Sequence, residues 1–157
     1  MLSEQELNEY ICLYRNTVYR LAYSYMKNRE DAEDISQDAF VKLYLSQESF
    51  AAYDNVKAWL IRITVNLCKN LLKASWRRVR EELTAEPVAP QTYEDSMAEY
   101  ISRMEPHYSS VLYLFYYEGY SVKEIAGICG ISSVAVRTRL SRGRNKLKDM
   151  LLKEDEL

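Results

Sequence analysis

Residues 121–148 read SVKEIAGICGISSVAVRTRLSRGRNKLK, and this stretch decides the fold of its half of the chain. Ser121 followed three residues later by Glu124 fits a capping box, in which each side chain satisfies a backbone donor at the start of a helix. Gly130 supplies the left-handed conformation that ends this first helix, and Ser132 or Ser133 can cap a second. Two helices joined by so short a turn match the helix-turn-helix pattern, whose second helix lies in the major groove of DNA.

The second helix divides into three sides. At 100° per residue, Val136, Leu140, Leu147 and Leu151 fall on one narrow face with Gly143 between them. Opposite lie Val134, Thr138, Ser141 and Asn145, all small or uncharged. Arg137, Arg144 and Lys148 flank that line on one side, and Arg139, Arg142 and Lys146 on the other. Small groups aimed at base edges and cations aimed at the two phosphate walls are what a groove-reading helix needs. A solvated basic helix beside a core would share the charge but not this layout.

The chain has 157 residues, enough for one medium domain or two small ones, with the apolar and charged fractions of an ordinary soluble protein. No run of eighteen apolar residues offers a membrane span, and the polar, acidic start is unlike a signal peptide. Cys12, Cys68 and Cys129 are odd in number and widely spaced within apolar helical patterns, so they read as reduced core thiols in a cytoplasmic protein. The net charge of −2 hides strong segregation. Residues 55–80 hold seven Lys or Arg and no acid, and residues 133–148 hold six and no acid. Residues 81–105 hold seven acids against Arg103 alone, and residues 30–38 hold five with no base. Distribution, not sum, decides whether nucleic acid is a partner.

Nearly every periodic segment reads as helix, and no strand alternation or hairpin signal occurs. A first helix is expected over 4–27, with Leu7, Ile11, Tyr14, Val18, Leu21 and Tyr25 inward. A second covers 30–45 after a turn at Lys27 and Asn28, and a third runs over 56–80 after a loop. The segment 81–95, with Pro87 and Pro90 among small residues, reads as a flexible linker. A second helical group then starts near Tyr93 and runs to the end. The expected fold is all-α, with two small helical domains at 1–80 and 96–157.

On the third helix, Val56, Leu60, Ile63, Leu67 and Leu71 form the expected buried stripe. Arg62, Asn66, Lys69, Asn70, Lys73, Arg77 and Arg80 share roughly the opposite side. A face made only of cations and amides suits a phosphate backbone, with base edges in reach of Asn66 and Asn70; merely solvated faces usually mix signs. Phe50 and Tyr53, in the loop before it, can stack an unpaired base or serve as minor core. On the second helix Ala32, Ile35, Ala39 and Leu43 face inward, while Asp31, Asp34 and Asp38 cluster elsewhere with Gln37 nearby. Clustered carboxylates can bind metal or act in acid–base catalysis, but no nucleophile or phosphate-loop motif accompanies them, and His107 is distant. No metal site and no cofactor is expected. The cluster is then an acidic solvated face or a docking face for a protein.

With these elements in chain order, the sequence resembles a group IV (extracytoplasmic-function) sigma factor of bacterial RNA polymerase. DAEDISQDAF at 31–40 is similar to the segment of region 2 that docks on the clamp helices of the polymerase β′ subunit. AWLIRITVNLCKN at 58–70 resembles the region 2 helix that grips the melted −10 element. YEGYSVKEIAGICGISSVAVRTRLSRGRNKL at 117–147 resembles region 4, which reads the −35 element. The resemblance implies a non-enzymatic promoter-specificity subunit whose partners are core RNA polymerase (β′ clamp helices and β flap), promoter DNA and an anti-sigma factor.

Residue by residue, it implies that Asp34, Gln37 and Asp38, with Asp31 beside them, dock on polymerase. Phe50 corresponds to an aromatic beside the pocket for a flipped −10 base, with Asn66 and Asn70 behind it and Arg62, Lys69 and Lys73 on the same face. Arg137, Thr138, Ser141 and Arg142 match the −35 contact face, and Lys123 a backbone-contact position on the preceding helix. The chain departs from many members in having Val65 and Asn70 where Arg and Asp are frequent. Val134 and Ala135 are apolar where hydroxyls are frequent, which implies contacts to thymine methyls there. The rival in another class is a stand-alone helix-turn-helix regulator, which would need a dimer interface and a ligand pocket.

Overall fold

The computed structural model describes residues 2–46, 50, 53–76 and 96–155. Among these residues there are seven helices and no strand: α1 (Glu4–Met26), α2 (Arg29–Leu45), α3 (Tyr53–Trp76), α4 (Ser96–Ser102), α5 (Pro106–Tyr116), α6 (Val122–Cys129) and α7 (Ser133–Asp155). They divide into two units, Met1–Val88 and Ala89–Leu157. The expected linker at 81–95, together with Arg77 and Arg80, lies outside the described residues.

In the first unit α1 begins at a capping box. The Ser3 hydroxyl accepts from the Glu6 N–H at 3.1 Å, and the Glu6 carboxylate accepts from the Ser3 N–H at 3.3 Å. α1 stops where Lys27 turns left-handed (φ 62°) and its N–H donates back to the Tyr23 carbonyl. Asn28 then caps α2, its Oδ1 accepting from the Asp31 N–H at 2.8 Å. This two-residue corner folds α2 back on α1, and α3 packs against both. Val18, Leu21, Ile35, Leu43, Val56, Leu60, Ile61 and Val65 form a dry interior. Each such side chain contributes about 1.5–3 kcal/mol by leaving water.

Two expectations for this unit need correction. The buried face of α3 is not the stripe 56, 60, 63, 67, 71. Ile61, Thr64, Val65 and Cys68 join Val56 and Leu60 inside, Ile63 and Leu67 are half-buried, and Leu71 is 36% exposed. Contact with two helices rather than one broadens and rotates the buried face. Thr64 is tolerated there because its hydroxyl donates to the Leu60 carbonyl at 2.7 Å. Cys12, expected in the core, is exposed, while Cys68 and Cys129 are buried and all three are free thiols. Burial pushes the Cys68 thiol up to about 12, so it is inert at neutral pH.

In the second unit α5 is the central element, buried on every side from Tyr108 to Leu114. α4, α6 and α7 pack around it. The described part of this helical group starts at Ser96, and Tyr93 lies outside the described residues; the group breaks between α4 and α5, where Pro106 sits in the first turn of α5. The capping box of α6 is present, with Ser121 and Glu124 exchanging hydrogen bonds of 3.1 Å each. Gly130 is left-handed (φ 67°), and Ser132, not Ser133, caps α7 by accepting from the Ala135 N–H at 3.0 Å. α7 crosses α5 at Gly143, where a Cβ would lie 3.0 Å from Leu112 Cδ1.

Candidate nucleic-acid interface

On α3, the requirement to bury Ile61, Val65 and Cys68 forces the opposite side into solvent. Arg62, Asn66, Asn70 and Lys73 are exposed and Lys69 is half-buried. Their spread of about 100° around the helix follows from the 3.6-residue turn. Phe50, one turn before α3 begins, is half-buried against the core, its ring 5.9 Å from that of Trp59 in an edge-to-face arrangement. Trp59 is a residue that sequence reasoning passed over. It stands three and seven positions before Arg62 and Asn66, so it borders their face; that spacing was the available signal. The structure thus places a half-exposed aromatic pair beside the cation–amide surface. Tyr53, expected in the loop, starts α3.

On α7, Val136, Leu140 and Gly143 are buried, and Leu147 and Leu151 are half-buried. Val134 is 65% exposed; Arg137, Ser141 and Arg142 are exposed; Ala135 and Thr138 are half-buried. Lys123 is exposed on α6. The six cations are not equivalent, contrary to the even two-sided flank expected. Arg144 turns back to α5: its Nε donates to the Tyr116 hydroxyl at 2.6 Å, and its guanidinium lies 5.6 Å from the Phe115 and Tyr116 ring centroids. Lys146 sits 4.8 Å above the Tyr108 ring, with Nζ 3.5 Å from Glu105. The pull comes from aromatic faces on α5 and the carboxylate of its N-cap residue Glu105, which the helical wheel of α7 alone does not contain. His107, 3.3 Å from the same Glu105, is held below its ordinary range chiefly by burial, so it adds no charge at neutral pH.

On α2, Asp34, Gln37 and Asp38 are exposed. Asp31 differs: it is half-buried and accepts from Asn28 Nδ2 at 2.8 Å, which commits its carboxylate to the α1–α2 corner. The exposed face extends instead toward the C-terminus of α2, where Val41 (49%) and Leu45 (63%) project within about 100° of the acids. These two side chains stay largely in solvent among the described residues of the first unit. Among the described residues no group of three His, Cys, Asp or Glu is placed to hold a metal ion, and no helix is long and apolar enough to cross a membrane.

Known proteins match this arrangement unit by unit. The family model for sigma-70 region 2 matches residues 11–78, and that for sigma-70 region 4 matches residues 94–147. The RNA polymerase sigma factor SigV of Bacillus subtilis is 31% identical over 147 residues, which cover 90% of this chain and 89% of that protein. The ECF RNA polymerase sigma factor SigE of Mycolicibacterium smegmatis is 30% identical over 159 residues, covering 93% of this chain but 62% of SigE. Among solved structures, the sigma factor RpoE of Bartonella quintana, in complex with the anti-sigma factor NepR, matches with a TM-score of 0.76. Its identity is 25%, over 92% of this chain and 95% of that one. With both regions present in order and relatives of similar length matching throughout, the chain belongs to the extracytoplasmic-function sigma factors of the sigma-70 family.

Proposed function

We propose that residues 1–80 dock on core RNA polymerase and hold the melted −10 element, that 96–157 read the −35 element, and that 81–95 tether the two in the cytoplasm. The single observation that carries this reading is duplication: two separate units each expose a basic face free of acids opposite their own core. On α3 the cations Arg62, Lys69 and Lys73 take the backbone, and Asn66 and Asn70 take base edges, which amides can read in two places at once. Opening follows when unpaired bases are captured beside Phe50 and Trp59. Base–aromatic stacking returns about 1–3 kcal/mol per base against the cost of unstacking.

The α2 face is the polymerase contact. Asp34, Gln37 and Asp38 supply charge for orientation, while Val41 and Leu45 supply apolar area. The β′ clamp helices are the expected partner there, and the β flap is the expected partner of the second unit. An anti-sigma factor that covers these faces would hold the protein inactive; the complex of the Bartonella relative with NepR supports this.

Reconstitution tests the reading. Mixed with core polymerase and promoter DNA, the chain should direct initiation from defined start sites. Asp38→Lys and Val41→Glu should abolish association with polymerase, and Arg142→Ala should spare association but weaken promoters that depend on a −35 element. If the purified chain binds duplex DNA tightly alone and never joins polymerase, the reading is wrong.

A further inference from the structure

Among the described residues Val134 is the most exposed of the large hydrophobic side chains, at 65%. Its position explains neither folding nor solubility. Val136, two residues on, is fully buried and fixes the core side of α7, so Val134 points away from it. Valine is a poorer helix former than the residues that usually fill exposed helix positions. The first turn of α7 also carries no acid, although a helix N-terminus favours one. The local backbone is nonetheless well held, because Ser132 caps it through the Ala135 N–H. A β-branched side chain on a helix has essentially one χ1 rotamer, so the two methyls are presented in a fixed direction. Thr138 and Ser141 continue the same line one and two turns later, with exposed Arg137 and Arg142 on its flanks.

We propose that Val134 selects a thymine in the −35 element by packing on its 5-methyl group. The inference rests on the reading that α7 lies in the major groove. The N-terminal residues of a recognition helix are those that reach base edges there. The thymine methyl is the one apolar group that this groove displays, and it has no counterpart on the other three bases. An apolar side chain at the tip of α7 therefore discriminates by contact alone, while the arginines flanking it position the helix on phosphates.

The test replaces thymine by deoxyuridine, which removes the methyl and leaves every hydrogen-bonding group. Holoenzyme assembled from the full chain and core polymerase transcribes a promoter library randomised across the −35 element. The enriched sequences are then rebuilt with deoxyuridine at each thymine in turn. We expect thymine to be enriched at one position and deoxyuridine there to lower transcript yield about fourfold, the worth of one methyl moved from water into contact. Val134→Ala should transcribe the thymine and deoxyuridine templates equally, and Val134→Ile should keep the wild-type preference. Wild-type indifference to deoxyuridine at every position overturns the proposal. So does a Val134→Ala variant that stays methyl-sensitive, or one that loses activity equally on all templates, which would place Val134 against polymerase. A wild-type holoenzyme silent on every template overturns the sigma reading itself, and this inference with it.

Discussion

Two glycines on helices of the second unit respond in opposite directions to the same substitution. At Gly143 a Cβ would meet Leu112 Cδ1 at 3.0 Å, Leu112 Cγ at 3.3 Å and Tyr108 Cβ at 3.6 Å. Leu112 is completely buried, so it cannot swing aside without disturbing its own neighbours. At Gly127, on the exposed side of α6, a Cβ meets nothing within 4 Å. Replacing glycine by alanine inside a helix gains about 1 kcal/mol from backbone entropy. At Gly143 this gain is set against about 1–3 kcal/mol for overpacking a filled interface. Gly143→Ala should therefore destabilise the second unit by about 1 kcal/mol, and Gly127→Ala should stabilise it by up to that amount. Indole fluorescence is the wrong probe, because Trp59 and Trp76 both belong to the first unit. Amide hydrogen exchange along α5 in the full chain reads the second unit directly. Its slowest amides should exchange about fivefold faster in Gly143→Ala and up to fivefold slower in Gly127→Ala. If both variants shift the same way, the close approach of α7 to α5 is not what Gly143 provides.

The Ser110 hydroxyl is buried in α5 and has no hydrogen-bond partner among the described residues. Ser110→Ala should thus slow exchange of the same α5 amides, consistent with about 1 kcal/mol recovered from an unmet polar group; faster exchange would refute this. Lys27 is brought down to about 7 by burial at the α1–α2 corner. Below pH 7 both folded and unfolded forms carry the proton, and the full cost of burying the charge is present. Between about 7 and 10.5 only the unfolded form stays charged, so this cost fades as pH rises. Lys27→Met should accordingly raise the urea midpoint read by tryptophan fluorescence at pH 6, with the gap closing toward pH 10; a constant gap would contradict the assignment. Asn66→Ala should slow promoter opening, and a template already mismatched across the −10 element should restore its rate. Equal loss on both templates would place Asn66 outside the melted-strand contact.

How much of this was legible in the sequence varied with how local the signal was. The boundaries of α6 and α7 rest on Ser121, Glu124, Gly130 and Ser132, whose hydrogen bonds reach three or four residues, and they were readable. The inward positions of α2 were also readable, because small and aliphatic residues alternate with acids there at helical spacing. α3 misled by a rotation of its buried face. Its apolar residues run almost all the way around the helix, so the wheel has no unique centre, and Thr64 enters the core on a hydrogen bond to its own helix. The arginine and lysine that α7 turns toward α5 were invisible for a different reason. Tyr116 and Glu105 precede their partners Arg144 and Lys146 by 28 and 41 residues, beyond any periodicity argument. Asp31 was grouped with a docking face by angle alone, while the cap that claims it depends on the left-handed Lys27 setting Asn28 in place.

The surface contacts of Arg144 and Lys146 with α5 and its N-cap also bear on how the second unit would respond to ionic conditions. Each phosphate neutralised by a side chain frees condensed counterions, and the logarithm of affinity falls by about 0.9 per phosphate for each decade of salt. Had all six cations of α7 faced the duplex, its share of that slope would be about −5.4; with two of them held on α5 it is at most about −3.6. On the proposed reading of α7 as the recognition helix, it is then less a general polyanion adhesive than its charge count implies. A weaker non-specific grip would leave the choice of promoter to the few contacts that distinguish one base pair from another.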